Sequence, residues 1–218
     1  MPQAALPDPF YLIIVLALLS LAPFVAVMVT SFIKLVVVFS LIRNALGIQQ
    51  IPPNMVINGL AIILSVYIMA PVGQQVMTRL QDVHFEQNNL SSIREVLESA
   101  KGPLQGFLEK HCSERERQFF FKTAKKLWPA ESSEEVKPDD LAILIPSFAV
   151  SELTAAFKIG FLLYLPFIAI DLIIANVLMA MGMMMVSPMT ISLPFKLLLF
   201  VLLEGWTRLI HGLVLTYQ

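Results

Sequence analysis

Leu172-Ile173-Ile174-Ala175-Asn176-Val177-Leu178-Met179-Ala180-Met181-Gly182-Met183-Met184-Met185-Val186-Ser187-Pro188-Met189-Thr190-Ile191-Ser192-Leu193-Pro194-Phe195 carries no charge. It is long enough for a membrane span, which needs about 20 apolar residues for about 30 Å of hydrocarbon. Yet Pro188 and Pro194 break it, so the stretch reads as part of a broken hairpin that carries a methionine cluster. The cluster holds six of the eleven methionines of the chain. Methionine is unbranched and polarizable, and a cluster of it adapts to irregular surfaces. At the tip of a membrane hairpin such a cluster can form a soft, deformable seal. Composition alone favours the ordinary reading, that these are gap-filling core side chains.

Outward from this cluster, charge divides the chain into three parts. Residues 1–78 form the first, an apolar helical hairpin. Pro9 to Ile33 is uncharged, Pro23 interrupts it, Lys34 enters, and Arg43 closes the segment. Gly47-Ile48-Gln49-Gln50-Ile51-Pro52-Pro53-Asn54 is a turn-rich polar link. Met55 to Met69 is the second arm, ending near Pro71 and Gly73.

Residues 79–140 form the second part, with ten of the fifteen basic and twelve of the sixteen acidic side chains. This is a water-exposed helical insertion of two or three short helices. Ser92 with Glu95 and Ser113 with Glu116 have capping-box spacing. Pro103 suits a helix start and Trp128-Pro129 a helix stop. Phe119, Phe120, Phe121, Ala124 and Leu127 supply an apolar face. So small a segment buries a marginal core by itself.

Residues 141–218 form the third part, a second apolar hairpin broken by Pro146, Pro166, Pro188 and Pro194 and carrying Glu152, Lys158, Asp171, Lys196 and Glu204. Charge and irregular backbone at membrane depth are tolerated where protein or a water-filled cavity surrounds them. The expected fold class is therefore an all-α integral membrane protein of broken helical hairpins that oligomerises around something. Glu152, Asp171 and Glu204 admit two readings, a proton relay or carboxylates paired with Lys158, Lys196 or Arg208. Pairing is the ordinary fate of buried charge. Lys158 and Asp171 are thirteen residues apart, about 140° from eclipse at 100° per residue, so one straight helix does not pair them. Lys34 and Arg43 suit snorkelling to an interface. Asn44 and Asn176 suit helix-packing hydrogen bonds or the holding of unwound backbone.

Other classes find no support. The mean hydropathy is +0.75, and the net charge of −1 gives no electrostatic reason for nucleic-acid binding. One cysteine, Cys112, permits no intrachain disulfide, and the three histidines lack metal-ligand spacing. No phosphate loop, paired-histidine zinc motif or nucleophile elbow occurs, so no enzyme and no cofactor is expected. Arg43 and Lys196 near the hairpin tips put those tips in the cytoplasm by the positive-inside tendency, and the termini and insertion on the periplasmic side.

Two segments go beyond composition. One runs from Thr30-Ser31-Phe32-Ile33-Lys34 through Phe39-Ser40-Leu41-Ile42-Arg43-Asn44-Ala45-Leu46-Gly47-Ile48-Gln49-Gln50-Ile51-Pro52-Pro53-Asn54. The other runs from Asp171 to Asn176 and from Met181 to Lys196. Pro146-Ser147-Phe148, Ser151-Glu152-Leu153 and Phe157-Lys158-Ile159-Gly160 add to them. Together they closely resemble the SctR/FliP family of type III secretion export-gate proteins. The resemblance covers most of the chain and is weakest over 79–140. The start, Met1 to Pro9, lacks a positive n-region, which looks more like the virulence (injectisome) branch than the flagellar one.

The resemblance implies a subunit of a bacterial inner-membrane export apparatus. It implies a pentamer, joined by SctS-like and SctT-like subunits in a helical cone partly raised toward the periplasm, with an SctU-like switch protein attached. Unfolded secreted proteins would pass through it. The family's methionine-rich gasket falls on Met183, Met184 and Met185, with Met181 and Met189. Lys34, Arg43, Glu152, Lys158, Asp171 and Lys196 would serve as buried charges in assembly. Two other readings predict different behaviour. A secondary transporter or proton channel using Glu152, Lys158, Asp171 and Lys196 would lose flux but not assembly when Asp171 is neutralised. A scaffold that forms no conduit would show unchanged leakage when Met183 to Met185 are altered.

Overall fold

A computed structural model describes residues 9–48, 50–81 and 90–218, and the side chains of all of these except 9, 11, 22, 90–98 and 130. Among the described residues all regular structure is helical: α1 (Pro9–Val29), α2 (Phe32–Ala45), α3 (Asn54–Leu80), α4 (Leu90–His111), α5 (Glu114–Leu127), α6 (Ala130–Glu135), α7 (Leu141–Ala180), α8 (Pro188–Leu202) and α9 (Gly205–Leu215). Of these, α3 and α7 are each long and apolar enough to cross a membrane. The bent pairs within α1 and of α8 with α9 pass the same test when each is taken as one span. The protein is an all-α membrane protein.

The prolines interrupt less than expected. α3 continues through Pro71 to Leu80, and α7 runs unbroken through Pro146 and Pro166. α4 runs through Pro103, which is buried inside the helix and does not start it. A proline inside a helix removes one hydrogen bond and costs about 3 kcal/mol. In apolar surroundings a chain gains nothing by unwinding, because the freed backbone groups find no water. Next to Pro146 the ladder is reinforced by hydroxyls: Ser147 Oγ donates to Ile143 O at 2.6 Å and Ser151 Oγ to Ser147 O at 2.7 Å. Pro23 does deflect its helix, which bends by 40° there. The sharper break lies between α8 and α9, where the chain turns by 58° and Glu204 adopts a left-handed conformation at φ 51°.

Two compact units are formed, and each is built from separate stretches of chain. The first takes residues 1–31 and 69–151. Its charged portion holds α4, α5 and α6, the expected helices, although α4 is not short. Phe107 stacks on Phe148 at 5.7 Å between centroids, and Ala124, Val136 and Ile143 form a small buried cluster with Phe120 and Phe121 against it. Phe119 and Leu127, expected on that apolar face, are exposed. Trp128 ends α5 in extended conformation, as a residue before proline prefers. Ser113 does occupy the N-cap of α5 but makes no side-chain capping bond; its backbone N–H donates to Ser151 Oγ at 2.9 Å. Ser92 and Glu95 lie within α4, with side chains outside the described residues.

The second unit takes residues 32–68 and 152–218. Its core is larger: Leu35, Val38, Phe39 and Ile42 of α2 meet Ile57 and Ala61 of α3, Ala156 and Phe167 of α7, Phe200 of α8, and Leu209 and Leu213 of α9. The α2 positions recur at three- and four-residue spacing, the stripe that buries one helix face. Gly160 lets α7 come close to α2, since a Cβ there would lie 2.3 Å from Leu41 Cδ1. Trp206 sits edge-on to Phe39 and Phe200, at 6.1 and 5.5 Å.

Candidate functional site

The methionine turn is built by the end of α7. Gly182 lies at φ +73°, a conformation that costs other L-residues about 1–2 kcal/mol. Its N–H donates to Met179 O at 3.0 Å, and the next N–H, of Met183, reaches back to Leu178 O at 2.9 Å. These are the two bonds of a Schellman motif, which satisfies the last carbonyls of the helix and reverses the chain. Ser187 is then the N-cap of α8 and Pro188 its first residue, where a missing N–H costs nothing. A glycine stop and a proline start thus hold a short loop between two apolar helices.

That loop exposes its side chains. Met184 and Met185 are 87% and 101% exposed, and Met179, Met181, Met183 and Met189 are all exposed too. The reading of these residues as gap-filling core does not describe them within the chain. Exposed apolar side chains in such number mark a surface that meets a partner, a ligand or lipid.

Behind the loop, α8 carries Ser192 and Lys196 one turn apart, hence on one face. Both reach Asp171 of α7. Lys196 Nζ lies 2.6 Å from Asp171 Oδ2, and Ser192 Oγ donates to Asp171 Oδ1 at 2.6 Å. The same ammonium donates to Ala45 O at 3.2 Å. Ala45 ends α2, so its carbonyl is one of the four left over at a helix C-terminus, where a cation is also favoured. One buried lysine therefore ties three helices together. Arg43, in the last turn of α2, donates to Pro52 O at 3.3 Å and to Asn54 Oδ1 at 2.5 Å, closing the link between α2 and α3.

A second buried junction lies in the same unit. Lys34 stands in the first turn of α2, where the helix dipole disfavours a cation. Its ammonium lies 2.9 Å from Glu152 Oε1 and 4.1 Å from the centre of the Tyr217 ring. The Tyr217 hydroxyl donates to Glu152 Oε2. Lys34 and Glu152 are both buried, so Lys34 does not snorkel, and Glu152 pairs with none of Lys158, Lys196 and Arg208, the partners expected for it. Lys158 lies exposed on α7 and Asp171 pairs elsewhere. Among the described residues neither Lys158 nor Arg208 is in an ion pair. The sequence reading missed Tyr217, Ser192 and the Ala45 carbonyl. Ser192 carries a signal, the four-residue spacing that puts it on the Lys196 face of α8. Tyr217, in the turn after α9, and the Ala45 carbonyl, at the end of α2, carry none, because they are far from their partners along the chain.

In the first unit, Arg117 bridges Glu109 and Glu114 on the surface. Hydrogen bonds from Gln118 and Arg117 hold the Glu114 carboxyl below its usual range. Burial pushes the Cys112 thiol up. No group of three or more His, Cys, Asp or Glu placed to hold a metal occurs among the described residues.

Comparison with known proteins agrees with the motifs. The model of the FliP family matches residues 15–213. The Yop proteins translocation protein R of Yersinia pestis is 59% identical over 212 residues, covering 97% of this chain and 98% of that protein. Virulence protein YscR of Salmonella typhimurium is 51% identical over 215 residues, covering 98% and 100%. Hypersensitivity response secretion protein HrcR of Ralstonia nicotianae is 50% identical over 212 residues, covering 95% and 96%. With most of its length matched by the family model and by these relatives, the chain belongs to the FliP family.

Proposed function

We propose that this chain is a core subunit of the export gate of a type III protein secretion system in the bacterial inner membrane, and that its methionine loop seals the conduit. Membership of a secretion and virulence family supports the first part. Such a subunit works by assembling with other apparatus subunits. We assign to it a fivefold ring of this chain joined by SctS-like and SctT-like subunits, with an SctU-like protein at the cytoplasmic side and the ring partly raised toward the periplasm. Unfolded secreted proteins are the cargo. The energy comes from elsewhere, and the chain itself is no enzyme.

The observation that carries the gasket is the exposure of Met183, Met184 and Met185 on a loop that Gly182 and Pro188 hold at the tip of two apolar helices. Thioether side chains deform around passing side chains of any shape and commit to no hydrogen bond. An apolar constriction also resists wetting, which limits ion flow when cargo is absent. Lys34, Arg43, Glu152, Asp171 and Lys196 act as internal ties, and Lys158 is left to meet a neighbouring subunit. The closed pairing of Glu152 with Lys34 and of Asp171 with Lys196 supports this structural role over a proton relay.

The test is ion leakage across the inner membrane of cells producing the assembled complex. The native chain is compared with a variant carrying Met183→Ala, Met184→Ala and Met185→Ala, after assembly is verified. Leakage rises if these residues form the seal. Unchanged leakage with intact assembly removes the gasket role and favours a scaffold or a seal made by another subunit.

A further inference from the structure

The second unit contains a cavity of about 210 Å³ whose walls include Leu163 and Pro166 of α7, Leu199 and Phe200 of α8, and Leu203 at the break before α9. Its one charged lining residue is Arg208 of α9. The Arg208 side chain is exposed and is in no ion pair among the described residues. The neighbouring carboxylate in sequence, Glu204, is four residues earlier, the spacing that pairs charges along a helix. Here Glu204 is the left-handed N-cap, outside the helix, and makes no ion pair with Arg208.

An unpaired guanidinium at the mouth of an apolar cleft has two-part chemistry. The walls take a hydrocarbon chain, and the cation takes an anion, which a guanidinium binds best as phosphate or carboxylate through its planar fork. The walls come from α2, α7, α8 and α9 and the cation from α9. α7, and the pair Pro188–Leu202 with Gly205–Leu215 taken as one span, are each long and apolar enough to cross a membrane. The outer surface beside the cleft is apolar as well: Val201, Leu202 and Leu203 are all exposed. One class of molecule supplies a hydrocarbon chain and an anionic phosphate together at that surface.

We propose that this cleft is a binding site for an anionic phospholipid, with an acyl chain along Leu163, Leu199 and Leu203 and the headgroup phosphate on Arg208. The bend at Glu204 opens the cleft and places the guanidinium at its rim. Gly205 belongs to the same device, since a Cβ there would lie 2.2 Å from the Phe200 ring and close the break differently. The site is independent of the methionine loop.

The test uses the full chain reconstituted in vesicles of phosphatidylethanolamine with and without phosphatidylglycerol of the same acyl chains. Native mass spectrometry of the extracted protein counts retained lipid. Phosphatidylglycerol is expected to be retained about fivefold over phosphatidylethanolamine, the attraction one cation contributes to an anionic surface. Arg208→Gln should bring the ratio near one, and Arg208→Lys should keep most of it. Leu163→Trp, which fills the cleft, should lower retention while leaving Arg208 in place, with helicity by circular dichroism verifying the fold. Excess inorganic phosphate should not displace the lipid. Equal retention of the two lipids, a ratio untouched by Arg208→Gln, or retention untouched by Leu163→Trp overturns the proposal. Displacement by inorganic phosphate reassigns the site to a free anion. Loss of self-association in Arg208→Gln, with lipid retention unchanged, reassigns it to a second copy of the chain.

Discussion

Lys34 Nζ and Glu152 Oε1 stand 2.9 Å apart with side chains only 6% and 3% exposed. A buried pair gains little over a well-packed apolar one, but losing one partner strands a charge in a dry site, at about 3–5 kcal/mol. Tyr217 serves both members, with its ring against the ammonium and its hydroxyl on the carboxylate.

Lys34→Met should therefore destabilise the second unit by about 3–5 kcal/mol. Adding Glu152→Gln should recover most of the loss, because the amide stays neutral and still accepts from Tyr217. Denaturant titration of the purified chain followed by Trp206 fluorescence reads both. A double variant no more stable than the single one would show that stranded charge is not the cause.

Asp171 and Lys196 should respond unequally. The Lys196 side chain is 4% exposed and that of Asp171 32%. Asp171→Asn leaves a buried cation with only the Ala45 carbonyl and a neutral amide, a loss toward 3 kcal/mol. Lys196→Met leaves a carboxylate that still has solvent and the Ser192 hydroxyl, a loss nearer 1 kcal/mol. The order of the two unfolding midpoints tests the assignment, and a reversed order contradicts it.

Gly182→Ala should cost about 1–2 kcal/mol through its left-handed backbone, and Gly182→Asn less, since asparagine tolerates that region. Gly160→Ala acts by another route: the new methyl meets Leu41, with an overpacking cost of about 1–3 kcal/mol. Leu41→Ala should relieve part of the second loss and none of the first. Thermal melts of the four single variants and the two doubles separate strain from crowding.

The Cys112 thiol should react slowly with iodoacetamide near neutral pH, because burial holds it above its ordinary value of 9.0. A group whose folded value is raised contributes stability below its unfolded value and loses it as pH rises through the folded one. The first unit should therefore lose a little stability above about pH 9, and Cys112→Ser should abolish that part. Glu114 has the opposite sign: its lowered carboxyl contributes above its ordinary 4.5 and loses the contribution as pH falls below. Being fully exposed, it shifts the acid limb only slightly, and a large acid effect of Glu114→Gln would contradict the geometry.

Much of the site was legible because its signals are local. Pro188 starts α8 by its own backbone chemistry, so the break there was legible from adjacent residues. Trp128-Pro129 ended α5 for the same reason. That Gly182 stops α7 and that Met183 to Met185 are exposed was decided by the structure, since composition favoured a core reading. Pro71, Pro146, Pro166 and Pro194 misled, since one missing hydrogen bond decides a helix end only where water or a turn offers the freed groups something better, and Pro103, expected to start a helix, lies inside α4. Phe119 and Leu127 misled in a related way: helical spacing names a face, but a small unit cannot cover all of it.

By itself the sequence determined the helical class, the apolar and charged segments, the methionine cluster and the family, all carried by composition and by contiguous motifs. Only the tertiary structure decided which carboxylate meets which lysine. Glu152 takes Lys34 and Tyr217 from opposite ends of the second unit, and Lys196 takes Asp171 and the end of α2. Charge pairing is set by distance through space. Residues this far apart along the chain acquire a distance only when the helices that carry them pack.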